Sequence, residues 1–232
     1  MKLAIMQPYF LPYIGYFQLL NAVDRFVIYD DVNYIKGGWI NRNRILVNDD
    51  SHLISIPLIK ASPYKKINEH LVSPNATWKR KMIDTIRFSY KKAPHYKDIF
   101  PFYEQLINYE AESLVDYLYH SISTIAARLG INTPIVRSSE IYKNSHLNGQ
   151  ARVIDICRKE KCNLYINPIG GEVLYSKRDF EESGLILKFH KSKEISYPQF
   201  GTKHIPFLSI VDVMMFNGSD EMPELLEAYD LM

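Results

Sequence analysis

The sequence predicts an α/β protein with a mainly parallel sheet and flanking helices. Three observations carry that expectation. Short apolar runs and helical periodicities alternate at both ends of the chain. The first 30 residues read as strand, loop, helix and strand, the βαβ unit of a parallel sheet. A long helical stretch, 74–130, interrupts the alternation in the middle.

In chain order, Leu3-Ala4-Ile5-Met6 is a short buried strand, followed by a loop from Gln7 pinned by Pro8 and Pro12. Tyr13 to Ala22 carries Ile14, Phe17 and Leu20 at helical spacing, and Arg25 to Tyr29 is a second buried strand closed by Asp30-Asp31. Lys36 to Arg44 is a polar loop containing Gly37-Gly38. Ile45-Leu46-Val47 and Leu53 to Leu58 then read as strands joined by a turn at Asn48-Asp49-Asp50. Ile67 to Val72 reads as one more short strand. Thr77 to Tyr90 is helical up to the break at Pro94, and Tyr96 to Leu129 is mostly helical until Gly130 and Pro134 stop it. Ile135-Val136 is a strand, Ala151 to Lys161 a helix, and Leu164-Tyr165-Ile166 a strand that runs into the loop Asn167 to Gly171. Phe180 to Ser183 is a helical turn and Ile186 to Phe189 a strand. Ser209 to Met215 is a helix ended by Asn217-Gly218, and the acidic tail from Glu221 reads as helical. With no repeat or linker, residues 1–232 are expected to form a single domain, with 74–130 as a helical subdomain on the sheet.

Composition narrows the partners. The 232 residues suffice for a sizeable core, and 47% hydrophobic with 23% charged residues is ordinary globular composition. A net charge of +2 gives no reason to expect nucleic acid. Cys157 and Cys162 make neither a disulfide framework nor a zinc site, which suits a reducing cytoplasm. No signal peptide and no apolar run near the roughly 20 residues of a membrane span is visible. A cytoplasmic protein without membrane insertion is therefore expected. The 17 tyrosines are a surplus. Each joins a stacking face to a hydrogen-bonding tip, which suits sugars and nucleotides as well as a core.

Four constellations could carry chemistry. The first is Gln7 to Tyr16, with Tyr9, Tyr13, Gly15 and Tyr16 at a strand end and helix start, where free backbone amides favour phosphate. Tyr13-Ile14-Gly15-Tyr16 resembles, in its placement, the H-x-G-H motif of nucleotidyl-transfer folds, with tyrosines replacing both histidines. This gives the N-terminal half a nucleotidyl-transfer-like, Rossmann-like expectation; an aromatic helix start that only packs a core is the other reading. The second is Trp39-Ile40-Asn41-Arg42-Asn43-Arg44, with Lys36 nearby. Arg42 and Arg44 share one face of an extended segment and Asn41 and Asn43 the other. Guanidinium forks grip phosphate or carboxylate, and the indole stacks. The third is Asp30-Asp31, able to hold Mg²⁺, bond a ribose, act as a base or cap a turn. The fourth is Asn167 to Gly171 with Tyr175, where Gly170 and Gly171 permit close backbone approach or a tight turn. Among scattered histidines, His95 and His204 stand beside proline-fixed loops and are the best acid/base candidates. No protein-held metal site is indicated by histidine or cysteine spacing.

These blocks also resemble a family. Ile5 to Phe17 is similar to the opening signature of the WbqC-like family. Asp30-Asp31-Val32 with Trp39 to Asn43, Tyr165 to Gly171, and Leu208 to Gly218 resemble its second, third and fourth blocks, in order. The resemblance implies a bacterial protein of surface-polysaccharide (O-antigen) gene clusters, some members of which help attach an amino acid such as glycine to an amino sugar. It implies a nucleotide-linked amino sugar and an amino acid as partners, with ATP and Mg²⁺ as the cofactors of an amide-forming transferase. On that reading Gln7 to Tyr16 holds the nucleotide or activated acyl group, Arg42 and Arg44 grip phosphate, and Asp30 or His95 takes the amine's proton. A nucleotidyltransferase and a non-catalytic carbohydrate-binding scaffold are the alternatives.

Overall fold

The computed structural model describes residues 1–232. The apolar runs at Lys2–Met6 (β1) and Arg25–Ile28 (β2) pair in parallel, Met6 opposite Ile28, joined through the helix Ile14–Asn21 (α1). Ile135–Val136 (β5) extends β2 on one side. Leu164–Pro168 (β6) and Ile186–Ser192 (β7) extend β1 on the other. Tyr229–Leu231 (β8) runs antiparallel to β7, so the six-stranded sheet has the order β5-β2-β1-β6-β7-β8. The fold is α/β and Rossmann-like, as the alternation of elements predicts. A separate hairpin, Arg42–Val47 (β3) and Asp50–Ser55 (β4), turns at Asn48-Asp49.

Strand alternation sends side chains to two faces. Leu3, Ile5, Val27, Tyr165, Leu187 and Phe189 pack against Gly149–Lys159 (α5) and Lys177–Glu182 (α6). The free thiols of Cys157 and Cys162 are buried in this layer. On the other face Ala4, Phe26, Ile28 and Ile166 join a larger core with α1, Ile210–Phe216 (α7) and Met222–Glu227 (α8). The helices Thr77–Tyr90 (α2), Tyr96–Asn108 (α3) and Leu114–Arg128 (α4) contribute Ile86, Leu106 and Leu118 to that same core. No helix is long and apolar enough to cross a membrane.

Three local expectations change. Ile67 to Val72 is not a strand: Ile67–Glu69 is a short 3-10 turn, closed by the Lys66 amide donating to the Glu69 carboxylate at 2.6 Å. The helical run from Tyr96 to Leu129 is two helices. Lys79 donates to the carbonyls of Asn108 (3.4 Å) and Tyr109 (2.8 Å), ending α3, and the Ser113 hydroxyl caps α4. The tail adds β8 after its helix.

The chain leaves β1 for β2 and β5 on one side and later returns for β6 and β7 on the other. The carboxyl ends of β1 and β6 therefore bound the crevice where ligands of open parallel sheets bind.

Candidate functional site

Two segments distant in sequence meet beyond the end of β1. The Phe10 amide donates to the Trp39 carbonyl at 3.2 Å. Buried Asn43 donates to the carbonyls of Phe10 (3.0 Å) and Leu11 (2.8 Å) and accepts from the Arg44 amide (2.8 Å). Ser209, at the start of α7, binds both segments, its hydroxyl donating to the Leu11 carbonyl (2.7 Å) and its amide to the Arg44 carbonyl (2.8 Å). Leu11 is held in the left-handed region at φ 41° by these contacts. The result is a concavity of about 300 Å³ lined by Tyr9, Pro12, Tyr13, Trp39, Asn43 and Phe207. Trp39 is 41% exposed there, and Phe207 meets the Tyr13 ring edge-on at 6.3 Å.

At the rim, the Arg44 guanidinium lies 5.5 Å from the Trp39 ring centre and makes no ion pair. Arg42, on the same face of β3, instead closes its own loop by donating to the carbonyls of Gly38 (2.9 Å) and Gly37. Asn41 is likewise committed, accepting from the Tyr34 hydroxyl (2.7 Å) and donating to the Ile56 carbonyl (2.8 Å). Lys36 is exposed on the preceding turn. Of the two tyrosines standing where H-x-G-H carries histidines, Tyr13 is at the surface and Tyr16 is buried, its hydroxyl donating to the Gln7 carbonyl at 3.2 Å. Burial pushes the Tyr16 phenol pKa well up and partial desolvation pushes that of Tyr13 up, so each is a neutral donor. A methyl at Gly15 would run into the Tyr13 ring, so glycine is what lets that ring lie across the first turn of α1.

The crevice itself is polar. The Tyr165 hydroxyl donates to Asn167 Oδ1 at 2.8 Å, and Asn167 Nδ2 donates to the Pro168 carbonyl at 2.9 Å. A Cβ at Gly171 would collide with that amide, so glycine allows the turn Ile169–Leu174 to fold over Asn167; Gly170 beside it is exposed with open space around it. Asp30 Oδ1 accepts from the Ser138 hydroxyl (2.8 Å), the Ser139 amide (2.9 Å) and the Ser139 hydroxyl (3.2 Å). Burial raises the Asp30 pKa and these donors pull it back. Asp31 pairs with Arg152 of α5, the two side chains 3% and 4% exposed. Arg152 also donates to Asn144 Oδ1 (3.0 Å) and the Asp31 carbonyl (3.3 Å), and lies 5.0 Å from the Tyr29 ring centre.

A model of the WbqC-like protein family matches residues 7–224, taking in the slot, the crevice and the return to α7. The chain belongs to the WbqC-like protein family. The uncharacterized protein Rv1507c of Mycobacterium tuberculosis is similar to it, 28% identical over 229 residues and covering 97% of each chain. No solved structure matches.

Within this WbqC-like chain the slot gathers Tyr9, Tyr13, Trp39 and Asn43, with Arg44 outside the lining against the Trp39 ring, while Gln7, Asn167, Gly170 and Gly171 stand at the carboxyl ends of β1 and β6. His95 is not among them. It lines a separate groove of about 610 Å³ between α3, α4 and the α7–α8 turn, with Asp98, Arg128, Gly218 and Glu221. His204 is not among them either: its Nδ1 donates to the Tyr197 carbonyl at 3.2 Å. Asp30 and Asp31 do not fit a protein-held Mg²⁺, since serines and Arg152 already engage their carboxylates, and no three His, Cys, Asp or Glu side chains cluster elsewhere. Sequence reasoning misses Arg152 and Phe207. Arg152 carried a signal, a charge on the buried side of an amphipathic helix beside Val153 and Ile156. Phe207 carried none beyond the proline before it.

Proposed function

We propose that this WbqC-like chain binds a nucleotide-linked amino sugar of surface-polysaccharide assembly and transfers an amino-acid residue such as glycyl, or another acyl group, to its amino group. The observation that carries this reading is the slot: four aromatic rings converge on one concavity, with the unpaired Arg44 guanidinium stacked at its rim. Aromatic faces hold flat or CH-rich rings, and a free guanidinium takes phosphate bidentately. The crevice beside it supplies Gln7 and the exposed backbone of the Gly170-Gly171 turn, which Asn167 holds in place, for the rest of the ligand. Amide formation from a free carboxylate needs an activated acyl group. ATP, bringing Mg²⁺ on its own phosphates, is the activator this reading implies.

A non-catalytic carbohydrate-binding role is the second reading. It is favoured by the state of the two acid/base candidates: Asp30 is committed to three hydrogen bonds, and His95 opens onto another groove.

Calorimetry with a uridine-diphosphate-linked amino sugar, followed by mass spectrometry after adding glycine and ATP, separates the readings. Saturable binding that Arg44→Ala weakens roughly tenfold, about 1.4 kcal/mol, together with a glycylated product, is the expected outcome. Binding without product moves the conclusion to the second reading. No binding of the nucleotide-linked amino sugar removes the transfer reading.

A further inference from the structure

We infer that Phe207 is a specificity-determining residue of the slot, and that the slot takes the planar base of the nucleotide rather than the sugar. The inference rests on the ligand class proposed above and says which end of it enters.

The first ground is the backbone of Phe207. Its φ of 57° lies in the left-handed region, which a bulky L residue adopts only under constraint. The ring is 77% exposed, so burial does not hold it there. Its neighbours do. Leu208 and Ser209 are buried, and Ser209 is bonded to the carbonyls of Leu11 and Arg44. Upstream, the Ile205 amide donates to Gln199 Oε1 at 2.8 Å, and Gln199 Nε2 donates to the buried Asp212 at 2.7 Å. The chain is thus fastened on both sides of one strained, solvent-facing aromatic residue. That residue faces Tyr13 and lines the slot with Tyr9 and Trp39.

The second ground is the chemistry of the lining. A sugar ring is recognised through its hydroxyls, which need free amides or carboxylates around them. The lining has one amide, Asn43, and both its nitrogen and its oxygen are already engaged by backbone groups. What remains is two phenol hydroxyls and four π faces. Such a site stacks a base and reads little else of it. Arg44, stacked on Trp39, is then the group positioned for the phosphates that follow the base.

Four proteins test this: the intact chain with Phe207 unchanged, Phe207→Gly, Phe207→Ala and Phe207→Tyr. Thermal melting without ligand reads the strain. Glycine accepts a positive φ and alanine does not, so Phe207→Gly melts above Phe207→Ala. Calorimetry with uridine diphosphate, adenosine diphosphate, inorganic pyrophosphate and free N-acetylglucosamine reads the ligand. Both diphosphates bind the unchanged protein, and Phe207→Gly and Phe207→Ala lose roughly tenfold or more in affinity for them. Phe207→Tyr keeps it, and pyrophosphate responds to none of the substitutions. Unchanged diphosphate affinity in Phe207→Gly overturns the inference and leaves the slot reading standing on Arg44→Ala. Tighter binding of free N-acetylglucosamine than of the diphosphates, sensitive to Phe207, assigns the slot to the sugar and overturns it as well. Equal melting of the glycine and alanine variants removes the strain ground. If the unchanged protein binds none of the four yet binds the nucleotide-linked amino sugar, this inference falls and the nucleotide-sugar reading stands.

Discussion

Asp31 and Arg152 illustrate how a buried charge is tolerated only as part of a set. The pair is almost fully enclosed, and Ser139, Asn144 and the Tyr29 ring occupy the remaining directions around it. Removing one partner strands the other in a low-dielectric setting, which costs about 3–5 kcal/mol. Arg152→Ala is therefore expected to lower unfolding stability by about that amount in urea titrations. Asp31→Asn with Arg152→Met, which removes both charges, is expected to recover part of the loss. At this scale the sequence reveals identity and facing but not commitment. Arg42 and Arg44 do share a face of β3, as residues two apart in a strand must. That Arg42 turns back on Gly37 and Gly38 while Arg44 stays free depends on how the loop closes, which no spacing rule encodes.

Among the elements, the connection from β7 to α7 is tied down from beneath by Asp212. This fully buried carboxylate accepts from Tyr90 (2.8 Å), Tyr197 (2.7 Å) and Gln199 (2.7 Å), joining α2, the connection and α7. Asp212→Asn keeps the shape but sets an NH₂ group against donors, and is expected to cost about 2–3 kcal/mol. Hydrogen exchange should accelerate across residues 195–207 more than in β1 or β6, because the bonds lost are those that fasten that segment. The strands of the sheet interior were legible as apolar runs. Tyr229–Leu231 was not, because three residues of mixed polarity become a strand only by pairing with β7. The division between α3 and α4 was hidden for a related reason: Lys79, about thirty residues upstream, donates to the terminal carbonyls.

For the molecule as a whole, the βαβ start and the parallel sheet follow from pattern, while the meeting of the Gln7 and Trp39 segments is made by tertiary hydrogen bonds from Asn43 and Ser209. The strand order and the separation of His95 from Asp30 follow from tertiary packing. Packing also sets the response to acid. His190 on β7 is buried against Tyr229 with Nε2 unpaired, and burial pulls its pKa down to about 4. Between its ordinary value of about 6.5 and about 4, the unfolded chain takes up a proton that the native chain refuses. The stability associated with neutral His190 is thus present above that window and lost as pH falls through it, on the order of 3 kcal/mol at most. Asp30 and Asp212, whose pKa values are raised by burial, act in the opposite sense. Denaturant titrations from neutral to acidic pH should show a flatter decline for His190→Phe than for the unchanged protein. Parallel profiles would remove His190 from the account.

The short strands at either margin have a colloidal consequence. β7 carries Ile186, Leu187 and Phe189 along seven residues, a length of unpaired backbone that would template a strand from another molecule. β8 covers only the far half of that rail, His190–Ser192, and offers outward three residues with Asp230 at their centre; at the opposite margin β5 offers two. The open edges that remain, Ile186–Lys188 of β7 and the short outer strands β8 and β5, are each two or three residues long, a length that blunts edge-to-edge pairing.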